Sequence, residues 1–104
     1  MLLEAPGWAS GPVRLAGRWP DRLVGLLLRA DHGLLLAPCR SVHGLGMVEP
    51  LWVAGLDRDG RVRRVGLLAP GGVWSDPSAD AILELAWWRD PPPTGERLVA
   101  RPIA

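Results

Sequence analysis

Leu51-Trp52-Val53-Ala54-Gly55-Leu56-Asp57-Arg58-Asp59-Gly60-Arg61-Val62-Arg63-Arg64-Val65-Gly66-Leu67-Leu68 is the stretch that decides the fold. Two runs rich in Leu and Val flank a cluster of turn formers, Asp57 to Gly60. This spacing predicts strands over Leu51–Leu56 and Val62–Leu68, joined by a short bulged hairpin loop with Gly60 in the left-handed position. Gly66 within the second run predicts a bulge there, because Gly in a strand interior weakens pairing.

Working outward, turn formers recur at the short intervals expected of an all-β domain. Val13–Ala16 reads as a short strand after a loop from Gly7 to Pro12. Leu34–Leu36 reads as a buried strand ended by Pro38, Ala81–Ala86 as a loosely alternating strand, and Leu98–Ile103 as a terminal one. Pro91-Pro92-Pro93 forms a stiff extended connector. One helix is predicted, over Pro20–Ala30. Pro20 suits its first position, Asp21 the positive end of its dipole, and Leu23, Leu26 and Leu27 its apolar stripe. Gly25 inside it costs about 1 kcal/mol relative to Ala, which fits a close approach by another backbone.

Composition narrows the class. At 104 residues, 48% hydrophobic and with six tryptophans, the chain supports a single domain, 1–104, with one modest core. The net charge of +1 offers no broad basic field, so neither a nucleic acid nor a membrane is an expected partner. All twelve basic residues are Arg, and Lys, Asn, Gln, Phe and Tyr are absent. GC-rich codon usage explains this, and a thermophilic source is a second explanation for the missing amides. A single Cys excludes an internal disulfide and fits a reducing compartment. The first residues lack the basic start and apolar run of a signal peptide, and Arg29 and Asp31 interrupt the longest apolar stretch. A cytoplasmic location is therefore expected.

With the elements placed, the order of motifs resembles the family catalogued as domain of unknown function 192. The matching residues are Arg22, Gly25 and Leu26 on the helix, then Pro38, Cys39, His43, Gly46 and Met47. They continue through Pro50, Leu51, Leu56, Asp57, Asp59, Gly60 and Val62 to Leu83, Glu84, Leu85, Gly95, Glu96 and Leu98. The resemblance covers about residues 13–99. Gly44-Leu45 departs from the family's Thr-Phe pair, and the stretch between Leu85 and Gly95 is shorter and proline-rich. The resemblance implies a jelly-roll-like antiparallel β-sandwich with one short helix, and it implies no reaction.

Cys39, His43 and Met47 share parity, so on an unbroken strand they would face one side. Thiol, imidazole and thioether suit a soft ion such as Cu(I). The spacing matches no established ligand motif, and Gly44 and Gly46 break a strand, so no metal and no cofactor is expected. Cys39 and His43 also qualify as nucleophile and base, with Arg22, Asp57 or Glu84 as orienting groups, although only Arg40 adds adjacent positive charge. Arg22 is predicted to pair with Glu84 or Asp57 and pin the helix to the sheet. Asp57-Arg58-Asp59-Gly60 resembles the opening of a calcium loop, but the twelfth position is Leu68, so the turn reading is sufficient. Trp74 and Trp88, beside loops, form a possible partner surface, whereas Trp52 reads as core.

No Gly-rich phosphate loop, G-x-S-x-G elbow or H-E-x-x-H motif is present. The sequence therefore points first to a non-enzymatic binding module, its pocket near His43 and Met47 and drawing on Arg22, Cys39, Asp57 and Glu84. The expected partner is a small molecule or a protein.

Overall fold

The computed structural model describes residues 1–16 and 33–102. The predicted helix, Pro20–Ala30, and Arg22 with it lie outside the described residues, as does Ile103. In chain order the described strands are β1 (Leu2–Ala5), β2 (Trp8–Ala16), β3 (Gly33–Leu36), β4 (Ser41–His43), β5 (Leu51–Leu56), β6 (Val62–Leu68), β7 (Val73–Ser75), β8 (Ala81–Ala86) and β9 (Val99–Arg101).

The central hairpin forms at the expected residues. β5 and β6 pair antiparallel from Leu51↔Leu68 to Leu56↔Val62. Asp57 builds the turn: its Oδ1 accepts the N–H groups of Asp59 (2.8 Å) and Arg61 (3.0 Å). The Gly60 N–H returns to the Asp57 carbonyl at 3.0 Å, with Gly60 at φ 85°. The bulge is not at Gly66. The register shifts between Gly55 and Leu56, where Arg63 is the extra residue on β6. Gly66 instead makes room for Trp74, whose indole nitrogen occupies the space of a Cβ at that position. A ladder defect and a close approach leave the same mark in sequence, a glycine among apolar residues.

Seven strands form one mixed sheet in the order β6-β5-β8-β3-β2-β1-β9, and β4 pairs with β7 in a second, small sheet. β2 and β3 run parallel, Val13↔Gly33 to Ala16↔Leu36, and the other strand pairs are antiparallel. The architecture is thus mainly β, with a mixed large sheet rather than a wholly antiparallel sandwich. The large sheet rolls back on itself. Arg61 bridges Arg97, the Val62 N–H donates to the Glu96 carbonyl (2.8 Å), and the Leu98 N–H donates to the Gly60 carbonyl (2.8 Å). The chain then enters β9, which pairs with β1.

This roll explains why β5 and β8 are apolar along nearly their whole length. Alternate residues face opposite sides, and here both sides are covered. Inside the roll pack Leu3, Val13, Ala54, Leu56, Val62, Leu83, Leu85 and Leu98. On the other side Leu34, Leu36, Leu51, Val53, Leu68 and Ile82 pack under the small sheet, which contributes Val42 and, against the cluster, Trp74.

β1, β4 and β7 form where the sequence predicts no strand, and Trp8–Pro12, read as loop, is the first half of β2. There the register shifts opposite β1, and the buried Ser10 hydroxyl repairs the ladder. It accepts the Leu3 N–H at 2.9 Å and donates to the Gly11 carbonyl at 2.6 Å. A serine replacing a backbone partner looks, in sequence, like a turn residue.

Candidate functional site

Two chain segments face each other across the open flank of the small sheet. The first, Pro38 to Ser41, leads from β3 into β4. The second is the turn from Asp76 to Asp80 before β8. Asp76, only 2% exposed, organises the turn as an Asx turn. Its Oδ1 accepts the Ser78 N–H (3.2 Å), its Oδ2 accepts Arg63 Nε (3.2 Å), and its carbonyl accepts the Ala79 N–H (3.0 Å). The bulge at Arg63 places two successive arginines against this neighbourhood. Arg63 holds Asp76, while Arg64 donates to the Ser75 carbonyl (3.1 Å) and lies 5.3 Å from the centre of the Trp74 ring.

Backbone hydrogen bonds clasp the two segments together. The Asp76 N–H donates to the Arg40 carbonyl (2.8 Å), and the Cys39 N–H to the Asp80 carbonyl (3.2 Å). The Asp80 N–H anchors the turn to the Leu56 carbonyl at 2.8 Å. Between them lies an open cleft of about 450 Å³ lined by Pro38, Cys39, Arg40, Ser41, Ala79 and Asp80. Arg40 and Ser41 stand exposed on one wall and Asp80 on the other. Cys39 is half-buried, packs against the outer core and donates its thiol proton to the Ser41 carbonyl at 3.2 Å. The cleft thus presents a cation, an anion, a hydroxyl and a thiol that is a hydrogen-bond donor.

The residues singled out in the sequence are distributed over several places. Cys39 lines the cleft. His43 is exposed on β4, outside the cleft lining, and its Nδ1 accepts the Leu45 N–H at 3.3 Å. Met47 is 8% exposed within the outer core. The turn from Gly44 to Gly46 separates Met47 from β4, so the three side chains do not share one strand face. Among the described residues, no three His, Cys, Asp or Glu side chains are grouped to hold a metal ion.

Asp57 sits in the hairpin turn. The hydrogen bond from the Arg61 N–H holds its carboxyl below the usual carboxylate range, against the opposing effect of desolvation, and the Asp59 N–H adds to the lowering. Glu84 is 1% exposed on β8, opposite Leu34 on β3 and Val53 on β5, so its carboxyl lies in the outer core layer. Trp74 is half-buried over Gly66, whereas Trp88 is 53% exposed with the Arg89 guanidinium 4.7 Å from its ring centre. Trp52 packs against the inner core, as expected. Ser41, Ala79 and Asp80 escaped the sequence reading. Asp76-Pro77-Ser78 is the signal that announces their turn, because Asp before Pro and Ser favours such caps.

No protein-family model and no curated protein matches the chain. Among solved structures it is similar to the crystal structure of a protein of unknown function from Novosphingobium aromaticivorans DSM 12444. The two share 16% identity over 95% of this chain and 82% of that one, with a TM-score of 0.70. At that identity the likeness is one of fold alone.

Proposed function

We propose that this chain is a non-enzymatic binding module that takes a small polar molecule in the cleft between Pro38–Ser41 and Ala79–Asp80. The observation that carries this reading is the placing of Arg40 and Asp80 on opposite walls of one cleft, with Ser41 beside Arg40. Opposed charges on facing walls suit a ligand bearing both signs, and few polar groups are needed to orient a small molecule. Compared with the sequence expectation, the proposed pocket moves from His43 and Met47 towards Cys39. Membership of domain of unknown function 192, a jelly-roll-like arrangement and a cytoplasmic location belong to the same proposal. The motif order from Pro38 to Leu98 supports the first, the mainly β architecture the second and the single free thiol the third.

The competing enzyme reading, Cys39 as nucleophile with His43 as base, has less support. Activation needs a base within hydrogen-bond reach, and the Cys39 thiol instead donates to the Ser41 carbonyl. Nuclear magnetic resonance titration with amino acids, short carboxylic acids and amines at millimolar concentration tests the binding reading. The amides of residues 38–41, 79 and 80 are expected to shift, and Arg40→Ala or Asp80→Ala to abolish the shifts. Silence of these amides throughout the panel rejects it. Alkylation of Cys39 faster than free cysteine by on the order of a hundredfold, lost in His43→Ala, would favour the enzyme instead.

A further inference from the structure

The turn following β8 is gripped from two sides by indoles. Trp52 on β5 donates its ring N–H to the Trp87 carbonyl at 3.2 Å, and Trp8 on β2 donates to the Asp90 carbonyl at 3.1 Å. The Arg89 N–H closes the turn on the Ala86 carbonyl at 3.0 Å. On this fixed backbone stand two neighbouring indoles, Trp87 and Trp88, 49% and 53% exposed. Leu67, 52% exposed, lies across the strand pair from Trp52, whose ring N–H holds the Trp87 carbonyl. Covering an indole removes on the order of 150–250 Å² from water, so two of them left half open on a rigid turn make a surface suited to a partner.

The charges around the pair select the partner. The Trp87 ring N–H donates to Glu49 Oε2 at 3.1 Å, which fixes a carboxylate at the edge of that ring. Asp90 is exposed at the other end of the turn. The Arg89 guanidinium lies over the Trp88 ring, 4.7 Å from its centre, and its Nη1 is 2.6 Å from where a Cβ on Gly11 would stand. The surface therefore carries a carboxylate at the edge of Trp87 and a second, Asp90, two residues beyond Trp88, while Trp88 already accepts a guanidinium over one part of its ring.

We propose that Trp87, Trp88, Glu49 and Asp90 form a docking surface for a basic peptide segment of a partner protein. An Arg or Lys of that segment places its cationic head over the open part of the Trp88 ring, with Glu49 or Asp90 as counter-ion. Its aliphatic stem covers Trp87. Cations over indole faces and charge pairs at the rim are the ordinary currency of such contacts. Glu49 and Asp90 repel an anionic lipid surface or a nucleic acid.

The test uses the full chain, labelled with nitrogen-15, and a short capped peptide alternating Arg and Ala. A peptide with citrulline in place of each Arg serves as the uncharged control, and cellohexaose as the sugar control. The indole signals of Trp87 and Trp88 are expected to move with the Arg peptide and not with either control. Affinity should fall about three- to tenfold in Trp88→Ala, and again in Glu49→Gln with Asp90→Asn. Glu49→Gln keeps an oxygen for the Trp87 N–H, so it removes charge without releasing the ring. Trp88→Phe, which retains a ring, should keep most of the binding and guards against a folding artefact. Equal binding of the citrulline peptide, undiminished binding by the Gln/Asn variant, or indole shifts with cellohexaose alone would each overturn the proposal.

Discussion

The carboxylate of Asp76 occupies the space that a side chain on Gly55 would need. Gly55 is buried in β5, and the turn before β8 rests directly on its backbone. Asp76 is itself held by Arg63 and Ser78, so it has nowhere to retreat. Gly55→Ala is therefore expected to destabilise the fold by about 1–3 kcal/mol, the usual cost of overpacking. Urea unfolding at constant m-value checks this, and an unmoved midpoint would show that Asp76 yields freely.

Asp76→Ala attacks the same junction from the other side. It removes the acceptor of the Ser78 N–H and of Arg63 Nε, and the expected cost is about 1–3 kcal/mol. The ion pair supplies the smaller share, because the Arg63 side chain is 37% exposed and screened by solvent. A double-mutant cycle with Arg63→Ala should accordingly return a coupling of no more than about 1 kcal/mol.

The hairpin turn gives the protein an acid-sensitive point. Asp57 has its folded-state pKa lowered, chiefly by the Arg61 N–H. Its contribution is thus complete above the unfolded carboxylate pKa, about 3.9, and is lost as pH falls through the lower folded value. Thermal unfolding followed from pH 5 downwards should show an acid limb that is shallower in Asp57→Asn than in the parent. Carboxyl titration followed by nuclear magnetic resonance should place Asp57 below the usual range.

Gly60 carries two constraints at once. Its φ of 85° disfavours any side chain, and a Cβ there would lie 2.9 Å from the Leu98 carbonyl oxygen. Gly60→Ala is expected to cost about 1–3 kcal/mol and to weaken the closure of the sheet at Leu98 as well as the turn. Faster amide exchange at Leu98, whose N–H donates to Gly60, is the signature that separates this from a purely local effect.

Met47 and His43, four positions apart, should respond in opposite ways. Met47→Ala removes a side chain from the outer core and is expected to cost about 2–5 kcal/mol. His43→Ala changes an exposed side chain and should stay within about 0.5 kcal/mol of the parent. Calorimetric unfolding of the two variants provides the check. A large loss in His43→Ala would assign the imidazole a structural role that its exposure and its hydrogen bond from the Leu45 N–H do not indicate.

What was legible in the sequence follows from what is locally encoded. The hairpin from Leu51 to Leu68 and the strand Ala81–Ala86 announce themselves because apolar runs and a turn cluster lie next to one another. β4 and β7 do not, since each is three residues long and pairs only with the other, far along the chain, and β1 does not because it is four residues long and its hairpin with β2 shifts register. Gly66 reads as a bulge and Gly55 draws no notice, and the purpose of both is visible only once Trp74 and Asp76 lie on them. Of the candidate pocket, Cys39 was identified, but Asp80, on the facing wall, is forty-one positions further on and carries no motif. Parity suggested that Cys39, His43 and Met47 share a face, and the turn at Gly44–Gly46 undoes that inference.

The return of residues 95–98 onto the start of β6 has a bearing on how copies of this chain behave towards each other. An open sheet offers the unsatisfied amides and carbonyls of its outermost strand as a template on which a stranger can polymerise. Here residues 95–98 of the same chain occupy that template at Gly60 and Val62. A variant in which residues 95–98 peel away would lay bare the amides and carbonyls at the start of β6 for pairing with another copy.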